Sequence, residues 1–174
     1  MNFAVGAAAL GSLAWLAGWV MPFQPFRIRE TLCARSAGEL GLATITALVP
    51  ARDEATTIAR TLDGLLSQDT GLKVIVVDDQ SADDTAAIAR RHALRPTVIA
   101  GSAPPAGWLG KMWALHQGLG DVQTPYVLLI DADIAFSPGV LTALLERLES
   151  ENLAAASLMA ELRQETAWEK LLSP

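Results

Sequence analysis

Tyr126-Val127-Leu128-Leu129-Ile130-Asp131-Ala132-Asp133 is an apolar, strand-length run that breaks abruptly into two carboxylates separated by one small residue. Acids two positions apart, where a strand has just ended, can both reach one point in space, which suits a hard divalent cation with oxygen ligands. The competing reading is local, because Asp is common in turns and hydrogen-bonds its own backbone there. A second acidic strand end upstream, Val74-Ile75-Val76-Val77-Asp78-Asp79-Gln80-Ser81, repeats the layout. Two such ends in one small sheet weigh against a pair of ordinary turns.

Working outward, Ala43 to Pro50 is rich in β-branched residues and leads into Ala55 to Leu66, where Ile58, Leu62, Leu65 and Leu66 recur at helical spacing. Leu72 to Val77 reads as a buried strand, followed by Ser81 and Asp84 at capping-box spacing and a helix to about His92. Thr97 to Ala100 is a short strand, Gly101 to Gly110 a Pro/Gly loop, and Lys111 to Leu119 a helix. Ser137-Pro138 offers an N-cap and a first-turn proline for a helix carrying Val140, Leu141, Leu144, Leu145 and Leu148, and Leu153 to Ala160 is a last strand candidate. Repeating strand-helix units predict an α/β fold of Rossmann-like type, a mostly parallel sheet with helices on both faces. In such sheets ligands bind beyond the carboxyl ends of the strands, near the point where strand order reverses. The acidic turns and the turn Pro50-Ala51-Arg52-Asp53-Glu54 all fall on that edge.

The chain has 174 residues and a formal charge of -6, with a pI of about 4.8. The length supports one domain with a real core, and the charge argues against nucleic acid, which is held by clustered Lys and Arg. Cys33 is the single cysteine, so no intrachain disulfide can form, and nothing points to an oxidising compartment. From Phe3 to Val20 there is no charged residue, Trp15 and Trp19 stand toward the end of that stretch, and Arg27, Arg29 and Arg35 follow. This pattern predicts a transmembrane helix or signal anchor over 1–26, with the positive flank and the following domain on the cytoplasmic side. Pro22 and Pro25 would end it. Residues 27–42 read as a linker and 43–174 as the globular domain.

Val49-Pro50-Ala51-Arg52-Asp53-Glu54, Val77-Asp78-Asp79-Gln80-Ser81 with Asp84-Thr85, Gly110-Lys111 and Asp131-Ala132-Asp133, in that order, resemble the family 2 glycosyltransferases of the GT-A fold. Gly107 to Leu115 and Ser157 to Ala160 look more narrowly like the hopanoid-biosynthesis-associated, membrane-bound branch. The resemblance implies a nucleotide-sugar donor, most simply a UDP-sugar, and a lipid acceptor at the inner membrane. It implies that Pro50, Ala51, Arg52, Asp53 and Asp79 hold the nucleobase and ribose, with Asp79 accepting from an imide N–H, a task that suits an acceptor-only carboxylate. Asp131 would face the ribose or the metal-bound phosphate, Asp133 would coordinate Mg2+ or Mn2+, and Lys111 at a helix start would add a cation near the diphosphate. Arg52 departs from a position where the family often has an aromatic residue, and His116 from one that commonly bears an amide.

Each of these residues also has a structural reading. Asp53 and Glu54 could complement a helix dipole, Asp84 could be a cap, Lys111 could lie on a solvated helix face, and His92 reads as a helix-end histidine. The resemblance places a catalytic base well downstream of the metal motif. No catalytic residue is identified before Pro174, and Glu161, Glu165 and Glu169 are spaced like an exposed helix face. The expectation is therefore the donor-binding part of a larger enzyme, with the catalytic-base and acceptor region absent and little activity in isolation. A non-catalytic, membrane-tethered nucleotide-binding or interaction module is the alternative.

Overall fold

The computed structural model describes residues 2–20, 31–34, 41–68 and 71–160. They belong to two units, Met1–Thr31 with Glu161–Pro174 and Leu32–Ala160. In the first unit, helix α1 (Asn2–Val20) has no charged side chain, and the Ser12 hydroxyl is satisfied within it by the Ala8 carbonyl at 3.0 Å. Its 19 residues span about 28 Å. Much of its surface is Ala and Gly, which present little apolar area, and among the described residues no helix is long and apolar enough to cross a membrane. The span expected over 1–26 is thus found only as a helix ending at Val20. Its continuation to residue 26, most of the linker, and Glu161, Glu165 and Glu169 lie outside the described residues.

The second unit is built on strands β1 (Ile45–Ala51), β2 (Lys73–Asp78), β3 (Thr97–Ala100) and β4 (Tyr126–Leu129). All pairings are parallel, in the order β3-β2-β1-β4. The period of two divides the side chains cleanly between the faces. Ile45, Ala47 and Val49 of β1 and Val74 and Val76 of β2 point to one core, and Leu48, Ile75 and Val77 to another. The first core is closed by α2 (Ile58–Leu66), α3 (Thr85–Arg91) and α5 (Val140–Ser150), which contribute Ile58, Leu62, Leu65, Ala89, Leu141 and Leu145. The second is closed by α4 (Gly110–Leu119) through Ala114 and Leu115.

This division follows from the winding. The chain moves outward from β1 to β2 to β3 with its helices on one face, then returns past β1 to β4, and a right-handed crossover in the reverse direction must use the other face. The reversal opens a crevice between the carboxyl ends of β1 and β4, where ligands of doubly wound sheets sit. Helix α4 crosses very close to the sheet. A Cβ on Gly118 would fall 2.3 Å from Leu48 Cδ1 and 2.7 Å from Val77 Cγ2.

Several element boundaries differ from expectation for reasons that involve distant residues. Helix α2 begins at Ile58 instead of Ala55 because the preceding turn is held elsewhere: the Ala55 N–H donates to Asp83 Oδ2 at 3.0 Å. No Ser81–Asp84 capping box forms, and Asp83 Oδ1 instead accepts from the Thr85 N–H at 3.0 Å and from its hydroxyl. Ser137 does not cap α5, which starts after Gly139 at φ 79. The buried Gln68 amide takes over, accepting from the Leu141 N–H at 3.3 Å and donating to the Ser137 carbonyl at 3.0 Å. Leu153 to Ala160 forms no strand. Asn152 adopts φ 51, its N–H reaches the Glu149 carbonyl at 3.1 Å and the Leu153 N–H reaches Leu148 at 2.9 Å. Leu153 is therefore spent closing the helix in a Schellman arrangement.

Candidate functional site

At the carboxyl ends of β1 and β2, two loops are laced together by side chain–backbone hydrogen bonds. The Asp53 N–H donates to Ser81 Oγ at 3.0 Å, the Ala82 N–H to Asp53 Oδ1 at 2.7 Å, and the Glu54 N–H to Thr85 Oγ1 at 2.8 Å. With the Ala55–Asp83 bond this makes a clasp that holds both loops in fixed shape. Asp53 and Gln80 adopt left-handed backbone, φ 55 and 60, a conformation that costs non-glycine residues energy and persists only where surroundings enforce it. Asp83 is held below its ordinary carboxylate value, chiefly by the Thr85 hydroxyl; desolvation is the next largest influence and opposes it, and the Thr85 and Ala55 N–H groups add smaller lowering contributions.

Asp79 follows β2 directly, and its N–H donates to the Ala51 carbonyl at 2.8 Å, extending the ladder by one step. Its side chain is only 7% exposed, and Arg52 Nη1 stands 3.9 Å from Oδ2. Oδ1 is buried and has no hydrogen-bond partner, as is the case for Oδ1 of the neighbouring Asp78. Buried polar atoms are nearly always partnered, so an orphan carboxylate oxygen calls for an explanation. Gly110 closes the other side, since a Cβ there would come within 2.9 Å of Asp79 Oδ2.

Lys111, the next residue on α4, puts Nζ 2.5 Å from Asp131 Oδ1. Asp131 and Asp133 are exposed while Ala132 is buried, so the turn presents both acids outward around an inward anchor. The anchor is backbone: the Thr61 hydroxyl donates to the Ala132 carbonyl at 2.7 Å and Arg60 Nη2 to the Asp133 carbonyl at 3.1 Å. Helix α2 thus fixes the turn without consuming either carboxylate. Asp133 makes no hydrogen bond or ion pair with its carboxylate among the described residues. Also among the described residues, no group of three or more His, Cys, Asp and Glu side chains is arranged to hold a metal ion.

The residues singled out from the sequence therefore fall into distinct places. Arg52, Asp79, Lys111 and Asp131 are linked in a chain of contacts through Gly110. Pro50 and Ala51 are the last strand residues, and Ala51 joins through its carbonyl. Asp53 lies beside Arg52, with 4.0 Å from its Oδ2 to Arg52 Nε, but its other oxygen is engaged in the clasp. Asp133 shares the turn with Asp131 yet contacts none of the others. Asp84 occupies the cap position of α3 with no capping bond from its side chain, and His92 ends that helix with Nε2 3.0 Å from Asp63 Oδ1. The sequence reading missed Asp83, Thr61 and Gln68. Their polarity in otherwise apolar or capping positions was the available signal.

A doubly wound α/β unit with acidic and basic groups gathered at the carboxyl ends of its strands is a class of fold in which ligands bind beyond those ends. The glycosyl transferase family 2 model matches residues 46–173, and the chain belongs to that family. A 4,4'-diaponeurosporenoate glycosyltransferase of Staphylococcus aureus (strain bovine RF122 / ET3-1) is 32% identical over 93 residues, covering 53% of this chain and 24% of that protein. The enzyme of the same name from strain MRSA252 is 33% identical over 92 residues, with the same coverage of 53% and 24%. The chain thus spans about a quarter of the length of these curated relatives. Among solved structures, S. aureus TarS 1-349 superposes with a TM-score of 0.53 at 20% identity, over 66% of this chain and 38% of that one. This likeness bears on the fold.

Proposed function

We propose that the chain is the donor-binding part of a glycosyltransferase that moves a sugar from a nucleoside diphosphate, most simply UDP, to a lipid acceptor. The observation that carries the reading is Asp79, a buried carboxylate with one orphan oxygen at the carboxyl end of β2, beside the last residue of β1. An acceptor-only group in that setting matches the imide N–H of a uracil base. Arg52 beside it supplies a flat cation able to lie against the base in place of an aromatic ring. The Ala51 and Pro50 strand end, with Asp53 in the clasp, gives the base a rigid wall.

On this reading the diphosphate runs past Lys111 and Asp131, which pair at 2.5 Å. Lys111 begins a helix whose N–H groups also favour anions, and its pairing with Asp131 keeps it in position before donor arrives. Asp131 and Asp133 fit a divalent cation of the Mg2+ or Mn2+ type, which takes one or two carboxylates and completes its shell with phosphate and water oxygens. When bound, that ion would offset the negative charge growing on the departing diphosphate.

The acceptor side rests on two supports. The curated relatives carry the name 4,4'-diaponeurosporenoate glycosyltransferase, and the Gly107 to Leu115 stretch resembles the hopanoid-associated branch. Helix α1, without a charged residue and with exposed Leu10, Leu13 and Leu16, would meet the inner membrane, leaving the donor crevice on the cytoplasmic side. The test is calorimetric titration of a panel of nucleotide sugars, with and without Mn2+, on the native chain and on Asp133→Ala. The reading predicts binding of a uridine-diphosphate donor that weakens when metal is withheld or Asp133 is removed. Absence of binding by every nucleotide sugar in the panel would overturn it.

A further inference from the structure

We infer that the outward side of the head of α4, made by Trp108, Leu109 and Met112, docks on a lipid bilayer. Ala114, Leu115 and Gly118 of the same helix are buried against the sheet, so a polar outer face is expected. Instead Leu109 is 76% exposed, Met112 54% and Trp108 42%. Apolar groups gathered at one spot mark an interaction surface more often than chance.

The patch is built rather than loose. The Trp113 Nε1–H donates to Ser102 Oγ at 3.2 Å, and Gln117 Oε1 accepts from both the N–H and the hydroxyl of Ser102 at 2.9 Å. Trp108 packs against that stapled core, with its ring centroid 5.2 Å from Trp113 and 4.9 Å from His116. Its backbone N–H is tied to the Pro105 carbonyl at 3.1 Å. The indole is therefore presented with little conformational freedom left to lose on docking.

Charge and chemistry select the occupant. In a chain of net charge -6, the run from Gly101 to Gly120 carries Lys111 and His116 and no Asp or Glu. Most of this acidic protein would be repelled by anionic headgroups, whereas this face, with the Lys111 charge met by Asp131, is close to neutral. Tryptophan prefers the headgroup level, where its ring is apolar and its N–H is wet, and Leu109 and Met112 would reach below it. Lys111 on the same helix turn pairs with Asp131, so docking would bring the crevice to the bilayer surface. That last consequence rests on the sugar-transfer reading, whereas docking itself does not.

The test uses the full chain with Trp15→Phe, Trp19→Phe, Trp113→Phe and Trp168→Phe, leaving Trp108 as the sole tryptophan, excited selectively over Tyr126, and vesicles of phosphatidylcholine and phosphatidylglycerol. Trp108 emission should move to the blue and be quenched when the acyl chains are brominated. Because Trp113→Phe touches the staple, flotation is also measured on Leu109→Ser/Met112→Ser in the otherwise native chain, where partition should fall by about tenfold. Unchanged Trp108 emission while the protein floats with vesicles would overturn the inference, since α1 alone would then carry binding. So would a shift that appears without lipid and grows with protein concentration, which would assign the patch to a second copy. Donor titration without vesicles reports separately on the sugar-transfer reading.

Discussion

Gly110 lies against the carboxylate of Asp79, so close that a Cβ added to it would approach Oδ2 to 2.9 Å. The first residue of α4 and the residue that follows β2 thus form two sides of one slot. Gly110→Ala should push the Asp79 carboxylate aside. Alanine is the better helix former by up to about 1 kcal/mol, so the urea midpoint should hold or rise while nucleotide affinity falls. Calorimetry and a denaturation curve on the same preparation separate the two effects, and unchanged affinity would show that Asp79 does not face the donor.

Gly118 makes the opposite case on the same helix. Its missing side chain lets α4 sit on Leu48 and Val77, both fully buried. Gly118→Ala inserts a methyl group where none fits, and overpacking of this kind costs about 1–3 kcal/mol. A lowered urea midpoint, with the same circular-dichroism spectrum at low denaturant, is the expected result.

The clasp assigns Asp53 a framing role that can be told from donor contact. Its carboxylate accepts from the Ala82 N–H at 2.7 Å, and its backbone is left-handed at φ 55. Asp53→Ala loses the acceptor and leaves a residue poorly suited to that backbone, which should cost about 1–3 kcal/mol. Asp53→Asn keeps an acceptor oxygen and tolerates the conformation, so it should restore most of the stability. If the asparagine variant is stable yet binds nucleotide poorly, the negative charge itself serves the donor.

The core and the winding were legible locally because they depend on period. The Thr97–Ala100 strand, the β2 run and the apolar spacing of Ile58, Leu62 and Leu65 are each visible in a few neighbouring residues. What was not legible is where chemistry usually read as local is supplied from afar. Ser81 looks like a cap for its own helix, but its hydroxyl is taken by the Asp53 N–H twenty-eight positions earlier. Ser137 looks like the cap of α5, and Gln68 does that work from the end of α2. Leu153, apolar and flanked by small residues, reads as a strand start until Asn152 turns it back on its helix. The acidic strand ends are visible in the sequence, yet only the folded chain shows that Asp79 keeps an orphan oxygen while Asp131 is held by Lys111.

Acid should open the clasp through Asp83. Its carboxyl is depressed in the folded chain, mainly by the Thr85 hydroxyl. The stabilisation is therefore complete above the ordinary Asp value of about 3.9 and is lost as pH falls through the lowered folded value. Urea midpoints of the native chain should drop on acidification below about pH 4. In Asp83→Asn the starting stability should be lower and that part of the acid dependence smaller.

Lys111 and Asp131 hold each other at 2.5 Å with both side chains more than half exposed. Exposed pairs of this kind contribute about 0–1 kcal/mol, because water and salt screen them and ordering two side chains costs entropy. Lys111→Met should therefore leave the unfolding midpoint nearly unchanged. Its effect should appear in binding: a nucleoside diphosphate brings charge to a crevice where Asp131 would stand uncompensated. Affinity should fall by about tenfold, equivalent to ~1.4 kcal/mol. The loss should be greatest without divalent cation and shrink as Mn2+ is added, since the ion can take over the neutralisation of Asp131. Nucleoside without phosphates should bind both proteins alike, because Asp79 and Arg52 are untouched. Equal loss for nucleoside and nucleoside diphosphate would move Lys111 out of the phosphate region and into the support of α4.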